Sequence, residues 1–164
     1  MISIIVAAGE NNEIGRANGL LWHLPADMKR FRQLTTGHVI VMGRKTYDSL
    51  PKGALPHRTN VVISRNSNLR LPQCTVLNSL QAALTAFADE QEIFIIGGAE
   101  IYRQSFPLAD RIYLTRVHAE FPDADTFFPP IDPAEWQLIA DETPLADETS
   151  PYNYSFYTFK RKRV

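Results

Sequence analysis

A single cysteine, Cys74, is all the thiol chemistry this 164-residue chain carries. No disulfide can form within it, and it needs no oxidising compartment to fold. An excess of charge is missing too: 17 Lys and Arg stand against 18 Asp and Glu. No long basic stretch runs through the body, which argues against nucleic acid or a membrane surface as partner. The run Lys160-Arg161-Lys162-Arg163 is short and reads as solvated. The apolar run Ile2–Ala8 is too brief to cross a bilayer and has no basic flank of the signal-peptide kind. A core strand in a cytoplasmic protein is the expectation. The patterns G-x-G-x-x-G and G-x-x-x-x-G-K-[ST] are both absent, so the usual dinucleotide and NTPase fingerprints are excluded. No metal is expected. No repeat, low-complexity tract or linker divides the chain, and one domain over residues 1–164 is expected.

What is present is a set of short runs rich in Ile and Val: Ile2–Ala8, 38–42, 60–64, Cys74–Leu77 and 92–96. Most are nearly continuous in apolar residues, as strands covered on both faces must be. Helical patterns lie between several of them, at 25–34, 44–49, 79–88 and Ala99–Ser105. Pro25 suits a first helical turn and Ser79 an N-cap. This alternation predicts an α/β fold: a central, mostly parallel twisted sheet with right-handed crossovers and helices on both faces. After Arg111–Val117 come two further strand candidates, 136–141 and 154–160, with no helix between them. They predict antiparallel strands added at one edge, with 128–133 as a Pro-rich connection. Residues 9–24 show little periodicity yet contain Asn11, Asn12, Gly15, Asn18, Gly19 and Trp22. A loop of that length is usually functional, often a lid.

In open α/β sheets, ligands sit beyond the carboxyl ends of the strands. Three such ends here suit phosphate. Strand 38–42 runs into Gly43-Arg44-Lys45-Thr46, strand 60–64 ends in Ser64 next to Arg65, and strand 92–96 runs into Gly97-Gly98-Ala99-Glu100. Cations, free backbone N–H groups and missing side chains would let a dinucleotide approach. Arg44, Lys45 and Arg65 favour the 2′-phosphate of NADP over the 2′-hydroxyl of NAD, and surface charge is the plainer alternative.

At 100° per residue, Leu24, Met28, Phe31 and Leu34 share one arc of the first helix, and Asp27 falls inside it. Lys29, Arg30, Arg32 and Gln33 take the rest of the circumference. A charge aimed at a core is costly unless paired. Asp27 therefore serves either the helix dipole or a ligand with two parallel N–H donors, which a carboxylate can grip in bidentate fashion.

Taken in order, Ile14-Gly15, Leu21-Trp22-His23-Leu24-Pro25-Ala26-Asp27 and Phe31 resemble the dihydrofolate reductase family in its bacterial single-domain form. So do Val41-Met42-Gly43-Arg44-Lys45-Thr46, Leu55-Pro56 with Arg58-Thr59-Asn60, and Ile96-Gly97-Gly98-Ala99-Glu100-Ile101-Tyr102. The resemblance spans essentially the whole chain. It implies reduction of 7,8-dihydrofolate by NADPH in a monomer that serves one-carbon metabolism. Asp27 would hold the pterin with support from Thr115, and Trp22 and Leu20 would join it in the catalytic set. Ile5, Ala7, Met28, Phe31, Leu50 and Leu55 would line the substrate, and Arg58 would bind the carboxylate of its glutamate tail. The cofactor would meet Ala7, Ile14, Gly15, Asn18 and Leu20. It would also meet Gly43 to Thr46, Ser64, Arg65 and the stretch Gly97, Gly98, Ala99, Glu100, Ile101 and Tyr102. A cis Gly97–Gly98 peptide is implied as well.

The chain departs from the family at Leu21, where proline is common, and at Tyr47, where Trp or Phe is. Lys45 replaces a frequent histidine and keeps a cation for phosphate. The turn Pro51-Lys52-Gly53-Ala54 is one residue longer than usual. The alternatives are an NADPH-dependent pyrimidine reductase of riboflavin synthesis on the same scaffold, and a silent folate- or nucleotide-binding protein.

Overall fold

In a computed structural model of the chain, residues 1–15, 24–144 and 151–162 are described. Their centre is an eight-stranded sheet. Its strands are β1 (Ile2–Ala8), β3 (Val39–Gly43), β4 (Thr59–Ile63), β5 (Cys74–Leu77), β6 (Ile93–Gly97), β7 (Arg111–Val117), β9 (Trp136–Glu142) and β10 (Tyr154–Arg161). In space they run β5-β4-β3-β6-β1-β7-β10-β9. Every pairing from β5 across to β7 is parallel; β10 is antiparallel to both β7 and β9.

The near-continuous apolar runs follow from cover on both faces. Val39 and Val41 join Ile4, Val6 and Ile95 in a core completed by Leu80 and Ala83 of α3 (Leu80–Ala86) and Ile101 and Tyr102 of α4 (Ala99–Ser105). Ile40 and Met42 join Ile5, Val62 and Phe94 on the other face, beneath Phe31 and Leu34 of α1 (Pro25–Thr35) and Tyr47 of α2 (Arg44–Asp48). Ile40, Val41, Met42 and Ile95 are fully buried, each contributing about 1.5–3 kcal/mol for a side chain of this size. The expected boundaries hold to within one or two residues, and Ser79 does cap α3, its Oγ accepting from Ala82 N at 3.0 Å.

The expectation of an unstructured stretch from residue 9 is corrected by a small second sheet, β2 (Glu13–Gly15) on β8 (Thr126–Phe127). Strands of three and two residues show no period for a sequence to display. A buried carboxylate holds them instead: Glu13 accepts from Asn11 N at 2.6 Å and from Phe121 N at 2.5 Å. Arg116 adds bonds to Gly9 O and Asn12 Oδ1.

Candidate active site

Leu24, extended and buried against Val117 and Tyr154, delivers the chain into α1, whose first residue is Pro25. Asp27 therefore lies in the first turn, over the middle of β7. There Thr115, fully inside and in register with Ala7 of β1, donates from Oγ1 to Asp27 Oδ1 at 2.6 Å. Burial pushes the Asp27 carboxyl above the ordinary carboxylate range, while the Thr115 hydrogen bond and the Arg30 charge pull the other way. Ile5, Phe31, Leu50 and Leu55 share one apolar cluster on this side of the sheet. Met28 differs from the rest of its arc: it is 58% exposed, because it stands at the end of the arc farthest from Asp27 and Leu34.

Arg58 stands at the edge of this cluster. Its Nε donates to Pro56 O at 2.9 Å, its Nη1 to Thr35 Oγ1 at 3.2 Å, and its guanidinium stands 5.9 Å over the Phe31 ring. Burial, then the neighbouring Arg32, lowers its affinity for its proton. Asn60 sets this loop. Buried beneath it, Asn60 accepts from Leu55 N at 2.9 Å and donates to Leu55 O at 2.9 Å and to Arg58 O at 3.1 Å.

On the adjacent strands, β3 passes through Gly43 into α2 and β6 through Gly98 into α4. Neither helix start is capped by a side chain, so their first N–H groups are left for a ligand. Packing between them is tight. A Cβ at Gly43 would stand 3.3 Å from Ile101 Cγ1, and one at Gly98 would stand 3.3 Å from Thr46 Oγ1. The Gly97–Gly98 peptide is cis. Tyr102 donates to Ile5 O at 2.8 Å and to Ile96 O at 3.0 Å, which ties β1 to the end of β6. Its phenol is held neutral by burial and, secondly, by Asp27.

Arg44, Lys45 and Arg65 are exposed at the same edge, next to the half-buried Ser64. Arg44 pairs with Asp48 at 2.9 Å on the surface, a contact of at most about 1 kcal/mol that a phosphate can displace. The Glu100 carboxylate is engaged by Arg103 and Gln104 of its own helix, so of Glu100 only the backbone is left for a ligand. Ala99 is exposed at the start of the same helix. Ile14 packs against the core, and Gly15 O accepts from Asp125 N at 3.1 Å. Asn18, Leu20 and Trp22 lie outside the described residues.

Arg30 is the correction on α1. Assigned to the outer circumference by helical projection, it is half-buried, with its guanidinium 4.4 Å over the Phe156 ring. Its spacing of three from Asp27 was the available signal. The bracing by Asn60 and the clamp by Glu13 left no sequence signal of their own. Among the described residues, no helix is long and apolar enough to cross a membrane, and no group of three metal-ligating side chains gathers.

A buried carboxylate held by Thr115 of β7, together with two uncapped helix starts closely packed at their glycines, marks an α/β fold whose candidate ligand site lies at the strand ends. The family model described as dihydrofolate reductase matches residues 1–161, and the chain belongs to that family. It is 42% identical over 162 residues to dihydrofolate reductase of Bacillus subtilis, covering 99% of this chain and 95% of that one. It is 43% identical over 160 residues to the Haemophilus influenzae enzyme, covering 98% of each. Among solved structures, it superposes on dihydrofolate reductase from Enterococcus faecalis complexed with NADP(H) and RAB-propyl with a TM-score of 0.90. That match is 33% identical and covers 99% of this chain and 97% of the other.

Proposed function

We propose that this chain reduces 7,8-dihydrofolate to 5,6,7,8-tetrahydrofolate with NADPH, adding a hydride to pterin C6 and a proton to N5. The observation that carries this reading is the Asp27 carboxylate held against Thr115 on the helix whose Phe31 joins the apolar cluster of Ile5, Leu50 and Leu55. A carboxylate there grips the pterin amino group and the adjacent ring nitrogen as a bidentate pair. Ile5, Ala7, Phe31, Leu50 and Leu55 enclose the rings, Met28 meets them at the rim, and Arg58 offers its remaining donors to the glutamate carboxylate.

NADPH would lie along the starts of α2 and α4. The glycines there leave the backbone open to phosphate oxygens, and Arg44, Lys45 and Arg65 are exposed at the same edge. Gly43, Thr46, Ser64 and the Gly97–Tyr102 turn would hold the dinucleotide, with Ala7, Ile14 and Gly15 beside its nicotinamide. Asn18, Leu20 and Trp22 complete the proposed site. Bound NADPH supplies the hydride. The protein's own share is positioning and exclusion of water. Asp27 sits on the far side of the ring from N5, so it polarises the ring while water delivers the proton. We read the enzyme as a cytoplasmic monomer serving one-carbon metabolism, without nucleic-acid partners; its lone Cys74 is unpaired, and its charge is balanced.

The test is the loss of NADPH absorbance when dihydrofolate is added to the purified chain. Consumption with dihydrofolate supports the reading. Binding without consumption, or consumption only with a pyrimidine substrate, overturns it.

A further inference from the structure

Thr115 of β7, Phe156 of β10 and Glu142 of β9 are direct partners in register. They form one row across three strands, and side chains at directly opposed positions point to the same face. Helix α1 lies along this row. Asp27 meets Thr115 at one end, and Arg30, one turn on, lies over Phe156 at 4.4 Å and 5.9 Å from the Tyr113 ring. Glu142, exposed at the sheet's edge, attracts Arg30 from the other side. The order along the row is carboxylate, guanidinium, carboxylate.

We propose that Arg30 is a positioning residue for Asp27: a cation fixed by two aromatic faces that keeps the pterin-binding carboxyl ionised and so sets the acid limit of catalysis. The proposal rests on the reading of Asp27 given above. A guanidinium does not lose its proton in a protein, and its flat face stacks on aromatic rings where an ammonium would seek water. Stacking on desolvated rings is worth about 0.5–2 kcal/mol and holds the charge beside the helix. Without it, among the described residues, the Thr115 hydroxyl would be left to oppose the effect of burial on Asp27. Among the described residues, Arg30 of its own helix and Thr115 of β7 act on Asp27, and the buried phenol of Tyr102 of α4 feels the Asp27 charge. Tyr113 and Glu142 face Arg30, and Lys29 and Arg32 are exposed.

The direct experiment follows the Asp27 side-chain carbon by 13C NMR in the ligand-free protein as pH is varied, with the signal assigned by its loss in D27N. R30M raises the midpoint by about half a unit or more, and R30K, which keeps the charge without the stacking that holds it, recovers only part of that shift. E142Q, an exposed change that leaves Arg30 facing Asp27 alone, moves the midpoint in the acid direction. The pH profile of kcat/KM for dihydrofolate moves with the midpoint in R30M and R30K. An Asp27 midpoint unmoved in R30M, or moved equally in R30M and R30K, overturns the role of Arg30. A pH profile that survives D27N unchanged overturns the reading of Asp27 instead, and the NMR result stands apart from it.

Discussion

Gly98 and Thr46 face each other so closely that a methyl group on the glycine would lie 3.3 Å from the threonine hydroxyl. The starts of two helices that begin on neighbouring strands are thus packed against one another. The residue before Gly98 stands under a different constraint, because Gly97 has φ +124 and its missing Cβ would press on the Tyr102 ring at 3.3–3.4 Å.

These two glycines should fail in different ways. G98A narrows the cofactor site while the backbone stays in place, so NADPH affinity should fall about tenfold, equal to about 1.4 kcal/mol, with melting temperature nearly unchanged. G97A forces a side chain into a left-handed conformation and should cost about 1–3 kcal/mol. For a chain of this size that is a drop of roughly 2–4 °C per kcal/mol. Fluorescence titration with NADPH and thermal unfolding of both variants make the check.

D27N should lower turnover at neutral pH by about a hundredfold or more, the scale of a group that polarises the reacting ring, while NADPH binding is retained. It should also stabilise the protein. Burial raises the Asp27 proton affinity above its ordinary value, so the folded state binds that proton more tightly than the unfolded state. The wild type therefore loses stability as pH rises from about 4 through the higher folded value. D27N escapes that loss. Its melting temperature should exceed the wild type's at pH 7, and the gap should close as pH falls towards 4; a gap that widens on acidification contradicts the burial argument.

T115V keeps the shape of residue 115 and removes the donor to Asp27 Oδ1. Loss of a hydrogen bond to a charged group costs about 1.5–3 kcal/mol. The KM for dihydrofolate should rise roughly 10- to 100-fold, and the acid limb of the kcat/KM profile should move to higher pH. An unchanged profile would separate Thr115 from the ionisation of Asp27.

Removal of the guanidinium in R58M should raise the KM for dihydrofolate roughly 10- to 100-fold with kcat little altered, the pattern of lost binding made equally in ground and transition states. A pterin substrate lacking the glutamate tail should show no difference between R58M and wild type. N60A should give a weaker version of the same result, since Asn60 holds the backbone of Leu55 and Arg58.

The fold was legible where chemistry repeats. Strands β1, β3, β4 and β6 are covered on both sides, so nearly every residue had to be apolar, and their ends could be read to within a residue. The antiparallel pair was expected, yet no local signal told that β10 lies inside β9; that order depends on the long-range pairing of Tyr154–Arg161 with Arg111–Val117. The small sheet of Glu13–Gly15 escaped because two or three residues display no period, and Glu13 reads as an ordinary surface charge until Asn11 N and Phe121 N converge on it. Within the site, Asp27 declared itself by standing on an apolar arc. Arg30 did not, because helical projection assigns a direction from the axis and cannot foresee that aromatic rings on β7 and β10 extend the packed face far enough to take in a guanidinium.

The central claim is that Asp27 binds and polarises the pterin while hydride arrives at C6 from NADPH. A single turnover with NADPH deuterated at the transferred position tests it most directly, with the product analysed by NMR and the rate compared between wild type and D27N. The account predicts one deuterium at C6 of tetrahydrofolate, and in D27N about a hundredfold slower transfer from an equally saturated cofactor site. Deuterium at any other carbon, or transfer in D27N at the wild-type rate, would contradict it.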